Sequence, residues 1–217
     1  MIKTSEKKEK ISKKTIQRLT MYLKCSEKFS PDDYISSEEM GVLLGVTAAQ
    51  IRKDFSNFIM DLDSCIGIRG KGYNVKCLYE MIEDILGINK QNNVIIVGAG
   101  KLGNAILLEG DIEKPRFNIV GIFDITKSRI GKEYKGIKIS SVSDIPKIAS
   151  EQKIDMAIIT ENKSIAQQVT DIVTQSGIKA ILNMTSLEIK VPRDVVIEHI
   201  DLNRKLQELN YWKEKAE

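Results

Sequence analysis

The sequence has little of what most enzyme active sites are built from. Its one histidine, His199, follows a strand pattern and has no partner motif beside it, which leaves acid–base or nucleophilic chemistry without a constellation. Three cysteines, Cys25, Cys65 and Cys77, are odd in number and lack C-x-x-C spacing. That pattern argues for reduced thiols and against a disulfide framework or a zinc site, so no metal is expected. No apolar run approaches the ~20 residues of a membrane span, and no signal-peptide pattern opens the chain. A cytoplasmic protein without membrane association is expected. Charge of one sign is also missing: 33 Lys and Arg stand against 30 Asp and Glu, a net +3, so the chain is no polycation. Its 217 residues suit one large domain or two small ones.

What charge there is lies unevenly. Residues 1–28 hold nine Lys or Arg against three Glu, either as a solvated tail or as an electrostatic footprint for nucleic acid. From Ser12 onward, Ile16, Leu19, Tyr22 and Leu23 share one helical face. Ser36 or Ser37 with Glu39 reads as a helix cap, and that helix carries Met40, Leu43 and Leu44 and stops at Gly45. Thr47 then caps a second helix running to about Phe58. Two short helices across a tight glycine-containing turn form a helix-turn-helix, whose second member enters the major groove. Thr47 and Ala48 permit close approach, Gln50 matches adenine, and Arg52 and Lys53 suit phosphate or guanine. Residues 66–75 read as a glycine-rich hairpin tipped by Arg69 and Lys71, a wing suited to the narrow minor groove of A·T-rich DNA. A short helix over 78–88 follows, and Lys90–Asn93 closes the segment.

Beyond it, strand and helix patterns alternate, which implies a parallel sheet. The first unit carries the sharpest motif of the chain: the run Val94-Ile95-Ile96-Val97 breaks into Gly98-Ala99-Gly100-Lys101-Leu102-Gly103 and continues as a helix. In a G-x-G-x-x-G turn the first glycine allows the turn, the second lets a pyrophosphate approach the backbone, and the third lets helix and strand pack closely. The following strand ends in Asp124, placed where an acid reaches a ribose hydroxyl. Further elements are expected at 144–151 (helix), 154–160 (strand), 164–175 (helix ending near Gly177), 178–183 (strand) and 195–200 (strand). Asp201 caps a last helix whose Leu202, Leu206, Leu209, Tyr211 and Trp212 require cover, either from their own domain or from a partner subunit. The expected fold is α/β: a winged-helix DNA-binding domain (1–88), a Rossmann-type parallel-sheet domain (89–200) and a C-terminal dimerisation helix (201–217).

These stretches together resemble the Rex family of redox-sensing transcriptional repressors over residues 11–212. The matching segments are residues 45–54, Gly67-x-Arg69-Gly-x-Gly-Tyr73, the glycine turn at 97–103, Phe123-Asp124, residues 177–183, Val191-Pro192, Asp201-Leu202 and Leu206-Gln207-x-Leu209. The resemblance implies a homodimer with exchanged C-terminal helices, bound to an A·T-rich inverted repeat when NADH is scarce and released when NADH binds. It also implies that Arg18 and Asp201 couple the domains. Departures cluster on the nicotinamide side. Glu109 stands where the family has tyrosine, Thr160-Glu161-Asn162-Lys163 where it has Thr-Val-Pro-Ala, and Asn183-Met184-Thr185-Ser186 where it has Asn-Phe-Ala-Pro. Thr126 replaces a second acid, and about five extra residues fall near 60–65. An acid near the ring favours the oxidised cation, so the expected preference for NADH over NAD⁺ is weakened or lost. The alternatives are a constitutive repressor, a repressor responding to another adenine nucleotide, and an NAD-dependent dehydrogenase. The last is disfavoured because about 110 residues of Rossmann domain leave no room for a substrate domain.

Overall fold

The computed structural model describes residues 11–56, 58, 67, 68, 70–109 and 116–215. The chain divides into two compact units, Met1–Lys90 and Gln91–Glu217.

In the first unit, the Ser12 hydroxyl accepts from the Thr15 amide and opens α1 (Lys13–Ser26), satisfying a donor that helix starts leave free. The stripe Leu19, Tyr22 and Leu23 is buried, as its spacing predicts. A two-residue strand, β1 (Tyr34–Ile35), follows; it is too short to leave a period in the sequence. Ser36 and Glu39 exchange hydrogen bonds in a complete capping box at the head of α2 (Ser37–Leu44), and Gly45 ends that helix in the left-handed region. The Thr47 hydroxyl accepts from the Gln50 amide at 3.2 Å and starts α3 (Ala48–Ser56).

The hairpin is present as β2 (Gly67–Ile68) and β3 (Gly72–Asn74), and β1 pairs with the other edge of β3. Its helix, α4 (Val75–Leu86), begins three residues before the expected 78, because the Asn74 side chain caps it directly out of the strand. Phe55 meets Tyr22 and Tyr73 edge-on at 5.2 and 4.9 Å in a core that includes Ile35, Met40, Ile51, Leu78 and Ile82. Full burial of one such side chain contributes roughly 1.5–3 kcal/mol. Cys25 is a buried free thiol, whereas Cys77 is disulfide-bonded, so the expectation of reduced thiols fails at that residue.

The second unit is a doubly wound sheet. Its elements in chain order are β4 (Asn92–Val97), α5 (Lys101–Glu109), β5 (Phe117–Asp124), β6 (Glu133–Tyr134), β7 (Ile137–Ser141), α6 (Ile145–Glu151), β8 (Met156–Ile159), α7 (Lys163–Gln175), β9 (Ala180–Asn183), β10 (Val196–His199) and α8 (Leu202–Lys213). The spatial order is β10-β9-β8-β4-β5-β7-β6, parallel except for the β6–β7 pair, which the sequence reading missed. Alternate residues of each strand enter opposite cores. Ile95, Val97, Ala157 and Ile159 pack with α6 and α7, while Val94, Ile96 and Ile158 pack with Leu107 of α5. Near-continuous apolar strands follow from burial on both faces. The strand order reverses between β4 and β8, and ligands of such sheets bind at the carboxyl ends of the strands at that point.

Candidate nucleic-acid interface and nucleotide loop

On α3, Thr47, Arg52 and Lys53 are exposed, and Ala48 and Gln50 are partly so. Several of these groups already have partners. Arg52 donates to Glu38 (2.7 Å) and to the Ser37 hydroxyl (2.8 Å). Both ends of the Arg52–Glu38 pair are exposed, so it is weakly held and exchanges readily for a phosphate. Lys71 lies 3.8 Å over the Tyr34 ring, which holds a cation in the turn of the wing. Arg69 and the extra residues near 60–65 lie outside the described residues.

Asp54 is the organising residue of this unit, and the sequence reading passed over it. It is 2% exposed and accepts from Arg18 Nε (2.5 Å) and Nη2 (2.7 Å), Tyr22 Oη (2.8 Å) and Gln50 Nε2 (2.8 Å). Burial pushes its carboxyl up, but the bonds from Arg18, Tyr22 and Gln50 outweigh that and hold it below the usual range. The signal was available: Asp54 sits between Ile51 and Phe55 on the buried face of α3, where an acid needs partners. Gln50 is thereby oriented by an internal carboxylate. Arg18 and Asp201 belong to different units, and each is held within its own: Asp201 accepts from the amides of Asn203 (2.9 Å) and Arg204 (3.3 Å) as the N-cap of α8.

In the second unit the glycine turn has the geometry the motif requires. Gly98 has φ +116°, and a Cβ there would lie 2.7–2.8 Å from Thr160 Oγ1 and the Glu161 backbone nitrogen. A Cβ on Gly103 would lie 1.9 Å from the Gly98 carbonyl oxygen. Gly100 differs: the nearest atom to its Cβ position is Arg129 Nη1 at 3.9 Å, so the middle of the turn is open. Thr160 Oγ1 donates to the Gly98 carbonyl (2.7 Å) and ties the turn to the end of β8. Ala99 is buried, and Lys101 and Leu102 at the head of α5 are exposed. The open backbone at a helix start suits the pyrophosphate of a dinucleotide.

Asp124 is fully buried and internally committed. Its Oδ2 accepts from the Ala99 amide (2.8 Å) and Arg129 Nη1 (3.0 Å), and its Oδ1 from the Thr126 amide (2.6 Å). Burial raises its pKa, but Thr126, Arg129 and the Ala99 amide outweigh that and lower it. Glu161, 7% exposed at the end of β8, behaves oppositely. Burial and the Asp124 charge push its carboxyl up, against the amides of Asn162 and Ile125 and the Arg129 charge. His199 Nδ1 pairs with Asn183 Nδ2 (2.9 Å), which also donates to the Leu187 carbonyl (2.7 Å). The Glu109 side chain lies outside the described residues.

Residues 10–56 match the family model "Putative DNA-binding protein N-terminus", and residues 89–187 match the CoA binding domain model. The chain is 39% identical over 207 residues to the redox-sensing transcriptional repressor Rex of Caldanaerobacter subterraneus subsp. tengcongensis, covering 94% of this chain and 90% of that protein. It is 37% identical to Rex 1 of Thermotoga maritima, covering 94% and 96%. Among solved structures, RSP in complex with β-NAD⁺ and operator DNA aligns with TM-score 0.86 at 36% identity over 95% of this chain and 94% of that one. RSP in complex with β-NADH aligns with TM-score 0.83 over 95% of each.

Proposed function

Because the chain belongs to the Rex family of redox-sensing transcriptional repressors, we propose that its first unit holds an operator and its second unit reads the NADH/NAD balance. The observation that carries this is the nucleotide turn, closed to a Cβ at Gly98 and Gly103 and open at Gly100, in one chain with a winged helix-turn-helix. Thr47, Ala48, Gln50, Arg52 and Lys53 face the major groove, and Arg69 and Lys71 probe the minor groove of an A·T-rich inverted repeat. The residues present fit a dinucleotide. The turn at 98–103 would hold the pyrophosphate through backbone amides at the head of α5. When bound, the dinucleotide supplies only its redox state as the signal. Asp124 fixes the turn by accepting the Ala99 amide, and Thr160 fixes it from the other side.

The protein acts as a homodimer in the cytoplasm. Leu202, Leu206, Leu209, Tyr211 and Trp212 of α8 are 55–74% exposed, and no residue of that helix is buried. An apolar helix face of this kind needs a second subunit to cover it. Arg18 and Asp201 would couple the units by exchanging their present partners on ligand binding. Calorimetric titration of NADH into the full protein tests the reading; binding lost in Gly100→Ala is the expected result, and no binding to the unaltered protein contradicts it.

The preference between redox states is proposed to be flattened. In the segment from Asn183 to Leu187, at the same sheet end as the turn, Asn183 and Thr185 are buried polar residues, and Asn183 Oδ1 accepts the Thr185 amide (2.9 Å). Such surroundings suit a charged ring as well as a neutral one. NADH and NAD⁺ affinities within about tenfold are expected, a gap of up to ~1.4 kcal/mol. Tight NADH with much weaker NAD⁺ would show that the altered positions are compensated.

A further inference from the structure

Among the described residues, two buried side-chain polar atoms have no hydrogen-bond partner, and both flank the glycine turn: Glu161 Oε1 and Asn104 Oδ1. Asn104 stands one residue beyond Gly103 and donates through Nδ2 to the Ala99 carbonyl (3.2 Å). The Glu161 backbone nitrogen lies 2.8 Å from the Cβ position of Gly98, at the end of the strand across the β4–β8 switch point. Natural folds rarely leave such atoms unpaired, because each loses its solvation without gaining a bond. Both open atoms are acceptors, so this lip of the turn is short of donors. A sugar diol carries two O–H donors, whereas a phosphate at neutral pH brings chiefly further acceptors and negative charge.

The residue expected to read that diol is unavailable. The two oxygens of Asp124 are taken by the Ala99 amide, Arg129 and the Thr126 amide, whereas Glu161 Oε1 has no partner among the described residues. Glu161 stands close enough to the end of β5 to feel the Asp124 charge and the Ile125 amide, which argues for the adenosine side rather than the nicotinamide side expected from the resemblance. That strand end is where the ribose of a dinucleotide rests in folds of this order. Arg129, which could otherwise welcome a phosphate, is paired with Asp124 at 3.0 Å.

We propose that Glu161, rather than Asp124, is the acid that reads the adenosine ribose, its open Oε1 accepting from a ribose hydroxyl and disfavouring a dinucleotide that is phosphorylated there. Asp124 is then a positioning residue, which shapes the turn without touching the ligand. The inference rests on the reading that this unit binds an adenine dinucleotide.

The test is calorimetric titration of the full-length protein with NADH and NADPH, comparing the unaltered chain with Glu161→Gln, Glu161→Val and Asp124→Asn. The unaltered protein is expected to prefer NADH at least tenfold. Both Glu161 variants shrink that ratio tenfold or more, and Asp124→Asn weakens both ligands while keeping the ratio. Thermal melts accompany the titrations. Glu161→Val holds or raises Tm, because it removes an uncompensated buried oxygen, so loss of selectivity there is not loss of fold. A ratio kept in both Glu161 variants overturns the proposal, including the case where Glu161 meets the adenine amino group instead. A ratio that collapses in Asp124→Asn alone also overturns it. If the unaltered protein binds neither dinucleotide, the underlying reading fails and the proposal with it.

Discussion

At the scale of single residues, the glycine turn and Asp54 make separable demands. Gly103→Ala places a Cβ 1.9 Å from the Gly98 carbonyl, so the turn or α5 must move, and a loss of about 2 kcal/mol or more is expected in denaturant unfolding. Gly100→Ala meets nothing closer than 3.9 Å. It should stay within about 1 kcal/mol of the unaltered protein, yet lose at least tenfold in NADH affinity, since the added methyl occupies the space left for the pyrophosphate. Equal stability and equal affinity in that variant would show that the turn does not hold the ligand.

Asp54→Ala strips partners from Arg18 and Tyr22 at once and should cost about 3–5 kcal/mol. The pH dependence has a definite sign. The folded pKa of Asp54 lies below its ordinary 3.8, so its contribution is complete above pH 3.8 and fades as pH falls through the lower folded value. Acid unfolding curves should therefore lose part of their steepness in Asp54→Asn. A curve superimposable on that of the unaltered protein would mean that the network adds nothing.

At the scale of elements, the helices were legible where a cap and a stripe coincided. Ser12 with Leu19 and Leu23, Ser36 with Glu39, and Asp201 with Leu202 each announced a start and a face. The strands of β4 and β5 were legible as apolar runs, and the turn between them as glycine spacing. Pieces held by distant pairing were not legible: β1 exists because β3 offers it an edge, and β6 because β7 does. The candidate site divided the same way. Spacing located the turn, but whether Asp124 faces outward or inward depends on Ala99 and Arg129 reaching it, and no local pattern encodes that. Two predictions belong at this scale. Leu206→Glu on the uncovered face of α8 should convert a dimer to monomer in sedimentation, with the fold of both units kept; an unchanged sedimentation coefficient would place the dimer contact elsewhere. Lys53→Ala and Lys71→Ala should each weaken operator binding and lower the slope of log K against log salt by about 1, if each meets one phosphate. An unchanged slope would remove that lysine from the interface.

At the scale of the whole molecule, one chain joins a DNA-reading unit to a nucleotide-reading unit, and nucleotide binding in the second is expected to govern the first. The most direct measurement is fluorescence anisotropy of the full protein on a labelled A·T-rich inverted repeat at fixed physiological salt, titrated without ligand, with NAD⁺ and with NADH. Binding at least a hundredfold tighter than to a scrambled duplex, about 2.7 kcal/mol of specificity, is expected, with loss of that binding when NADH is added. Specific binding that NADH leaves untouched would show that the nucleotide unit does not govern the DNA-reading unit.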